Sequence, residues 1–377
     1  MAAASREFRL NYHLAGLDGE LRRVVPEVQL GRWRDMRALL AATGGKWALR
    51  TTRTQVLAVA ARESGAVEAW LQDAPCYDAH VMRARVLAER VVHSHRSRSV
   101  PDTRQANTPA DRVHTAMEAE VRTLAGWAAV RKPMDPVPWL CLLRLALADP
   151  FQQRPEHRIG VKGDMLPEGP WGLLKAVRDR DDVNREAFHS VLAFIQRSKR
   201  LRSPAYGVDF ARSAVSLAPY GSPLLLLPLY AEIERLRRQP SPIPSDPLNR
   251  GAWTKEPLKD DTATAYESWF AVAPAEERSV SDLSYLAWGL WAGNQHVRAA
   301  QVFIAMEEFA ARQPWTALAQ ADGRGQTGET LFCQARAKSL AYADRHPSEP
   351  GRGTGPGLPA PAPPAPTGAD VGPRDGP

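Results

Sequence analysis

Cysteine is scarce: Cys76, Cys141 and Cys333 are the three present in 377 residues. They are too few and too scattered for a disulfide framework. Long apolar runs are also missing. The most apolar stretch, Leu224 to Leu229, contains Pro228 and falls far short of the ~20 residues that span a bilayer. Met1 to Leu14 holds no continuous apolar segment, so no secretory signal is read and a cytoplasmic protein is expected. A charge excess of one sign is nearly lacking, because 49 Lys and Arg against 42 Asp and Glu leave a net +7. Spread over the chain, that is not the concentrated basic footprint of a nucleic-acid domain. Sustained period-two alternation is absent, which removes the signal of a half-buried sheet.

What is present is ordinary globular composition, 44% hydrophobic and 24% charged, with helical periodicity along most of it. Trp33, Met36 and Leu40 share a face over Arg32 to Thr43, and Gly44-Gly45 ends that run. Further helices are expected over Leu49–Arg62, Ala66–Gln72 and Asp78–Val92, then a polar, basic loop from His93 to Pro109. Helices resume over Asp111–Val130 and Trp139–Leu147, and the proline-rich segment Pro150–Pro170 reads as a long loop. Trp171–Arg178 and Glu186–Arg197 follow, the second with the full stripe Phe188, Val191, Leu192 and Ile195. Tyr206–Leu217 and Leu224–Arg238 complete a main array over 1–238.

Pro240, Pro242, Pro244, Pro247 and Pro257 mark 239–258 as a linker. A second helical block is expected over 259–345. It has Tyr285, Trp288 and Ala292 on one face, Val302, Ala305, Met306 and Phe309 on another, and a last helix over Glu329–Tyr342. The tail, 346–377, is almost all Pro, Gly and Ala with a few charges, too poor in apolar side chains to fold.

Stops at Pro75, Pro109, Pro150, Asp182 and Pro219 recur about every 30 to 40 residues, near the period of helix–turn–helix repeats. Gly31-Arg32-Trp33 with Met36, Leu40 and Thr43, and Gly293 with Ala299, Phe303 and Met306, resemble the second half of a tetratricopeptide unit. Trp47 falls where that family has its first-helix Trp, whereas Gly207 and Glu63 stand where it has a small Ala. The chain also resembles helical-repeat proteins of high-GC bacteria over Leu30–Thr43, Val81–Arg90 and Ser222–Leu236. The resemblance implies an irregular tetratricopeptide-like α-solenoid of antiparallel helix pairs, and no reaction.

Motifs that could carry chemistry fall at turns. Gly323-Arg324-Gly325-Gln326-Thr327-Gly328 has the form G-x-G-x-x-G, but a dinucleotide site needs a preceding strand and a βαβ unit. A helix precedes it instead, and an interhelix loop is expected. Asp179-Arg180-Asp181-Asp182 has the D-x-D-D form of an alkene-protonating acid. It lies at a helix end before Asn184, which suits a solvated turn and an N-cap. Cys76, His80, His93 and His95 could supply four zinc ligands, but no C-x-x-C accompanies them. Cys141 reads as a packing thiol. The basic runs Arg83–Arg98, Arg197–Arg202 and Arg235–Arg238 have acids nearby at Glu89, Glu232 and Glu234 and read as solvated faces. Trp33, Trp47, Trp139, Trp171 and Trp288 read as core or wedges between helices.

These observations give an all-α fold and no assigned catalytic, cofactor-binding or metal-ligating residue. The function expected is a non-enzymatic scaffold that holds a protein or peptide partner in a groove, without cofactor. A nucleic-acid or regulatory adaptor using the Arg-rich faces is the alternative, and an enzyme comes third.

Overall fold

The structure is a computed structural model that describes residues 10–97, 108–160, 166–201, 203–239, 243 and 245–346. Among these residues every regular element is a helix, and only two isolated β-bridges occur. The first part of the chain holds α1 (Gly19–Gln29), α2 (Arg34–Thr43), α3 (Trp47–Ala60), α4 (Ala66–Asp73), α5 (Tyr77–Ser97), α6 (Pro109–Arg131) and α7 (Val137–Leu145). Next come α8 (Trp171–Arg178), α9 (Arg185–Arg197), α10 (Ala205–Ser216) and α11 (Leu227–Arg238), the last led by a 3-10 turn, Pro223–Leu226. The final part holds α12 (Arg250–Trp253), α13 (Leu258–Ala265), α14 (Val280–Ala292), α15 (His296–Ala305), α16 (Trp315–Asp322) and α17 (Gly328–Arg345). No described helix is long and apolar enough to cross a membrane.

Most expected helices lie within a few residues of their observed bounds; α13 and α16 add two short helices at the expected C-terminal block, and three further differences occur. Helix α1 is an addition to the expected set, although Leu21, Val24, Val25 and Val28 form a complete buried stripe behind the N-cap Asp18. Pro26 inside the helix masks that signal. Helix α5 continues through His93 and His95 to Ser97, so the start of the expected loop is helical; 98–107 lie outside the described residues. Helix α12 falls inside the expected linker, where Trp253 is buried. The expected tail beyond His346 also lies outside the described residues.

Four apolar cores follow one another along the chain. Leu21, Met36, Leu57 and Trp70 centre the first, with Trp33 stacked parallel to Trp70 at 6.0 Å. Val81, Ala88, Val121 and Cys141 form the second, and Val92, Leu143, Phe188 and Phe210 the third. The fourth joins Leu229, Ile233 and Leu236 of α11 to Trp253, Trp288, Phe303, Trp315 and Phe332. One core therefore crosses from the expected array through the expected linker into the expected C-terminal block.

The chain then closes on itself. Leu10, Tyr12 and Leu17 pack against the fourth core, while Ala15 packs against the first. The Asn11 amide donates to the Glu308 carbonyl at 2.9 Å, and the Ala310 amide donates to the Asn11 carbonyl at 2.9 Å. Helices also meet far along the sequence: α3 touches α9, and α11 touches α9, α14 and α16. The units of a simple solenoid touch only their neighbours; this packing goes beyond that. Sequence-adjacent helices also touch: α1 meets α2 across the turn glycine Gly31 (φ 84°), and α14, with Gly293 as its C-cap, meets α15.

A candidate ligand cleft at the closure

Closure leaves a cavity of about 740 Å³ between the 12–18 segment, α3, the start of α9 and the start of α14. Its walls are the 12–18 segment, the outer face of α3, the turn into α9, residues 219–223, the start of α14 with the residues before it, and 310–312. A smaller recess of about 310 Å³ adjoins it and shares Tyr12, Ala311 and Arg312. The larger cavity is the candidate site, because the buried polar networks of the fold converge on its walls.

Three of these walls are held by ionic pairs far apart in sequence. Asn184 caps α9: its side-chain oxygen accepts from the Ala187 amide at 3.0 Å, and its Nδ2 donates to Thr51 Oγ1 on α3 at 3.2 Å. Two residues on, Glu186 receives both terminal nitrogens of Arg85 from α5, one at 2.6 Å. Both side chains are almost fully buried. Near the N-terminal wall, Arg53 donates to Asp18 at 2.8 Å and to Glu20 at 2.6 Å. It also reaches Thr43 at 2.8 Å.

The third pair joins α9 to α14. Arg185 Nε and Nη2 donate to the two oxygens of Asp282 at 2.6 and 2.7 Å. Tyr230 of α11 donates its hydroxyl to Asp282 Oδ1 at 2.7 Å. Asp282 is only 1% exposed. Burial alone would push its carboxyl up, but the Arg185 charge and hydrogen bond outweigh it and hold the pKa below the usual range. Its place in the first turn of α14 also suits a negative charge. Tyr285 stacks on Tyr230, and the His189 ring meets Tyr230 edge-on at 4.5 Å. Burial first, and the Arg185 charge second, push His189 down to about 3.

The two carboxylates of the D-x-D-D run nearest α9 differ in setting. Asp182 is exposed, but Asp181 is half-buried on the cleft wall and accepts from Asn184 Nδ2 at 2.7 Å. Burial raises its pKa. The expectation of a solvated turn thus fails for Asp181. His13, also on the wall, accepts the Ala15 amide on Nδ1 at 3.1 Å. Burial, then the Arg22 charge, lowers its pKa.

The other sequence motifs lie away from the cleft centre. Gly323 is the left-handed C-cap of α16, with φ 66°. A Cβ on Gly328 would come within 2.6 Å of the Thr316 amide nitrogen, so the G-x-G-x-x-G glycines build the α16–α17 turn. His80 Nδ1 lies 2.8 Å from the carbonyl of Cys76 and its ring packs on Trp127. Among the described residues no group of His, Cys, Asp and Glu is placed to hold a metal ion. Cys141 is fully buried, and burial raises its thiol to about 12.

The basic runs are largely ion-paired. Arg83 pairs with Glu68 and Glu120, Arg90 with Glu68, Arg235 with Glu232, and Arg237 and Arg238 with Glu234. Arg85 departs from the expected solvated face altogether, being 1% exposed. Comparison with family models, with curated proteins and with solved structures finds no match for this chain.

Proposed function

We propose that this chain is a non-enzymatic scaffold whose cleft holds a peptide segment of a partner protein. The observation that carries the reading is the composition of the walls. Hydrogen-bonding groups come from every side: Thr52 and Gln55 of α3, Arg185 of α9, Ser222, Ser281 of α14 and Arg312. Between them lie Leu17, Val56, Val183 and Val280. A peptide presents the same mixture, amide groups at every residue and apolar side chains between them. The cavity also falls within the ~300–1,000 Å³ range of ligand clefts.

The neighbouring helix pairs α1–α2 and α14–α15, each with a glycine at its turn, support a tetratricopeptide-like origin for the array. Pairing of the Arg-rich faces with Glu weakens the nucleic-acid alternative, because those cations are not free to replace phosphate counterions. The cytoplasmic setting belongs to the same proposal and rests on three scattered free thiols.

Affinity purification with the tagged full chain should recover a stoichiometric partner. Thr52→Trp, which puts a large ring on an exposed cleft position, should lose it. Failure to recover any partner, or an unchanged partner with Thr52→Trp, would overturn the reading.

A further inference from the structure

We infer that Arg185 recognises a carboxylate of the peptide held in the cleft, with Asp282 and Tyr230 as the brace that presents its guanidinium. This rests on the peptide reading above and specifies its chemistry.

A guanidinium carries five N–H donors in a fixed planar fork. Asp282 takes the Nε and Nη2 edge at 2.6 and 2.7 Å, and the Tyr230 oxygen lies 3.4 Å from Nη2. Among the described residues nothing bonds Nη1. The Arg185 side chain is 27% exposed while its partner carboxylate is 1% exposed. Arg185 therefore has one edge committed to a buried anion, keeps Nη1 uncommitted, and is itself one of the residues that line the cavity.

The brace matters because an arginine fixed before binding loses little side-chain freedom when a ligand arrives. The pair with Asp282 balances its charge, so what a ligand meets is a fixed N–H donor rather than a free cation. The Asp282 carboxylate is shared with the Tyr230 hydroxyl and lies in the first turn of α14. Arg185 itself is the first residue of α9, whose free amides add positive potential on the same side. Ser281, beside Asp282 in the chain, lines the same cavity and supplies a neutral donor.

Four acids line the wall: Asp181 accepts from the neutral Asn184 amide, Glu277 is exposed to solvent, and the other two are ion-paired. Asp18 is held by Arg53 and Glu186 by Arg85. Two sources could bring the carboxylate, a peptide's C-terminus or an Asp or Glu side chain. The chemistry at Arg185 is the same for both.

Fluorescence anisotropy with the full chain tests this, using three pools of labelled random peptides of about eight residues. One has a free C-terminal carboxylate and no Asp or Glu; one is the same pool with a C-terminal amide; one is amidated but rich in Asp and Glu. The first or the third should bind about tenfold more tightly than the second, and which of them does so identifies the source. In Arg185→Gln/Asp282→Asn, which removes both charges together, the preference should collapse to about twofold or less. If that variant does not fold, Arg185→Lys keeps a cation on Asp282 and loses the fork, and should cut the preference at least about threefold. Equal binding of all three pools would overturn the carboxylate assignment and leave the peptide cleft standing. A preference that survives both variants would overturn the role of Arg185. Binding of none of the pools would overturn the peptide reading as well.

Discussion

At the scale of single residues, this protein places charge where solvent is absent. Arg85 and Glu186 are 101 residues apart and both almost fully buried. Glu186→Gln would leave a buried guanidinium without its counter-charge, at a cost of about 3–5 kcal/mol. Urea denaturation should register that as a large fall in midpoint. Glu63→Gln, which breaks an exposed pair with Arg62, should leave the midpoint unchanged. His189 supplies a pH signature. Its Nε2 is buried without a partner among the described residues, and its pKa is pushed down to about 3 by burial and then by Arg185. The unfolded chain, with an imidazole pKa of about 6.5, binds more protons than the folded one between those values. The stability from a neutral His189 is thus complete above about pH 6.5 and declines on acidification, by at most ~1.4 kcal/mol per pH unit, until about pH 3. His189→Gln should remove up to ~2 kcal/mol of the stability lost between pH 7 and pH 5. An identical loss in wild type and variant would mean that the ring is not held neutral.

At the scale of elements, α9 is the piece on which the cleft depends, because its first turn carries Asn184, Arg185 and Glu186 toward three different neighbours. Asn184→Ala should cost about 1–2 kcal/mol for the lost cap. It should cost more than Ser279→Ala at α14, since Asn184 also bonds Thr51 Oγ1 and the Ser279 hydroxyl receives only the Ser281 amide. Equal losses by chemical denaturation would deny Asn184 its role across the cleft. Helix α9 is legible in the amino-acid sequence: its apolar stripe at 188, 191, 192 and 195 and the Asn184 cap are local signals, and a helix is mostly local. Helix α1 carries an equally complete stripe, but Pro26 suggests a break that burial of Leu21, Val24, Val25 and Val28 overrides. Helix α12 is a single turn, too short for periodicity to speak, and Trp253 and Trp315 anchor α12 and α16 by entering a shared aromatic core. The candidate site is the least legible part. Asn184 reads as a cap from sequence, yet Arg185 and Asp282 lie 97 residues apart, and no local pattern links two such positions. The arginine runs read as surface because composition cannot say which guanidinium has an acid waiting across the core.

At the scale of the whole molecule, the joint between 12–18 and the start of α14 decides whether the chain is an open array or a closed one. Gly16 sits directly against the start of α14. Its φ is +50°, and a Cβ there would lie 2.6 Å from Val280 Cγ2. The Arg22 side chain donates to the Gly16 carbonyl at 2.6 Å and packs over Phe309 at 4.7 Å, so the glycine is held from both sides. Gly16→Val would add a branched side chain to a left-handed backbone and drive it into α14, forcing the 12–18 segment away from that helix. Because Leu10, Tyr12 and Leu17 belong to the same core as α14, α15 and α17, the damage should not stop at the N-terminus. Hydrogen exchange on Gly16→Val should show protection falling in α1 and in α14 together, with α6, which packs on α5 and α7 and does not line the cleft, least affected. Loss confined to α1 would mean that the C-terminal helices stand as an independent unit and that the cleft is a surface between two bodies rather than the interior of one.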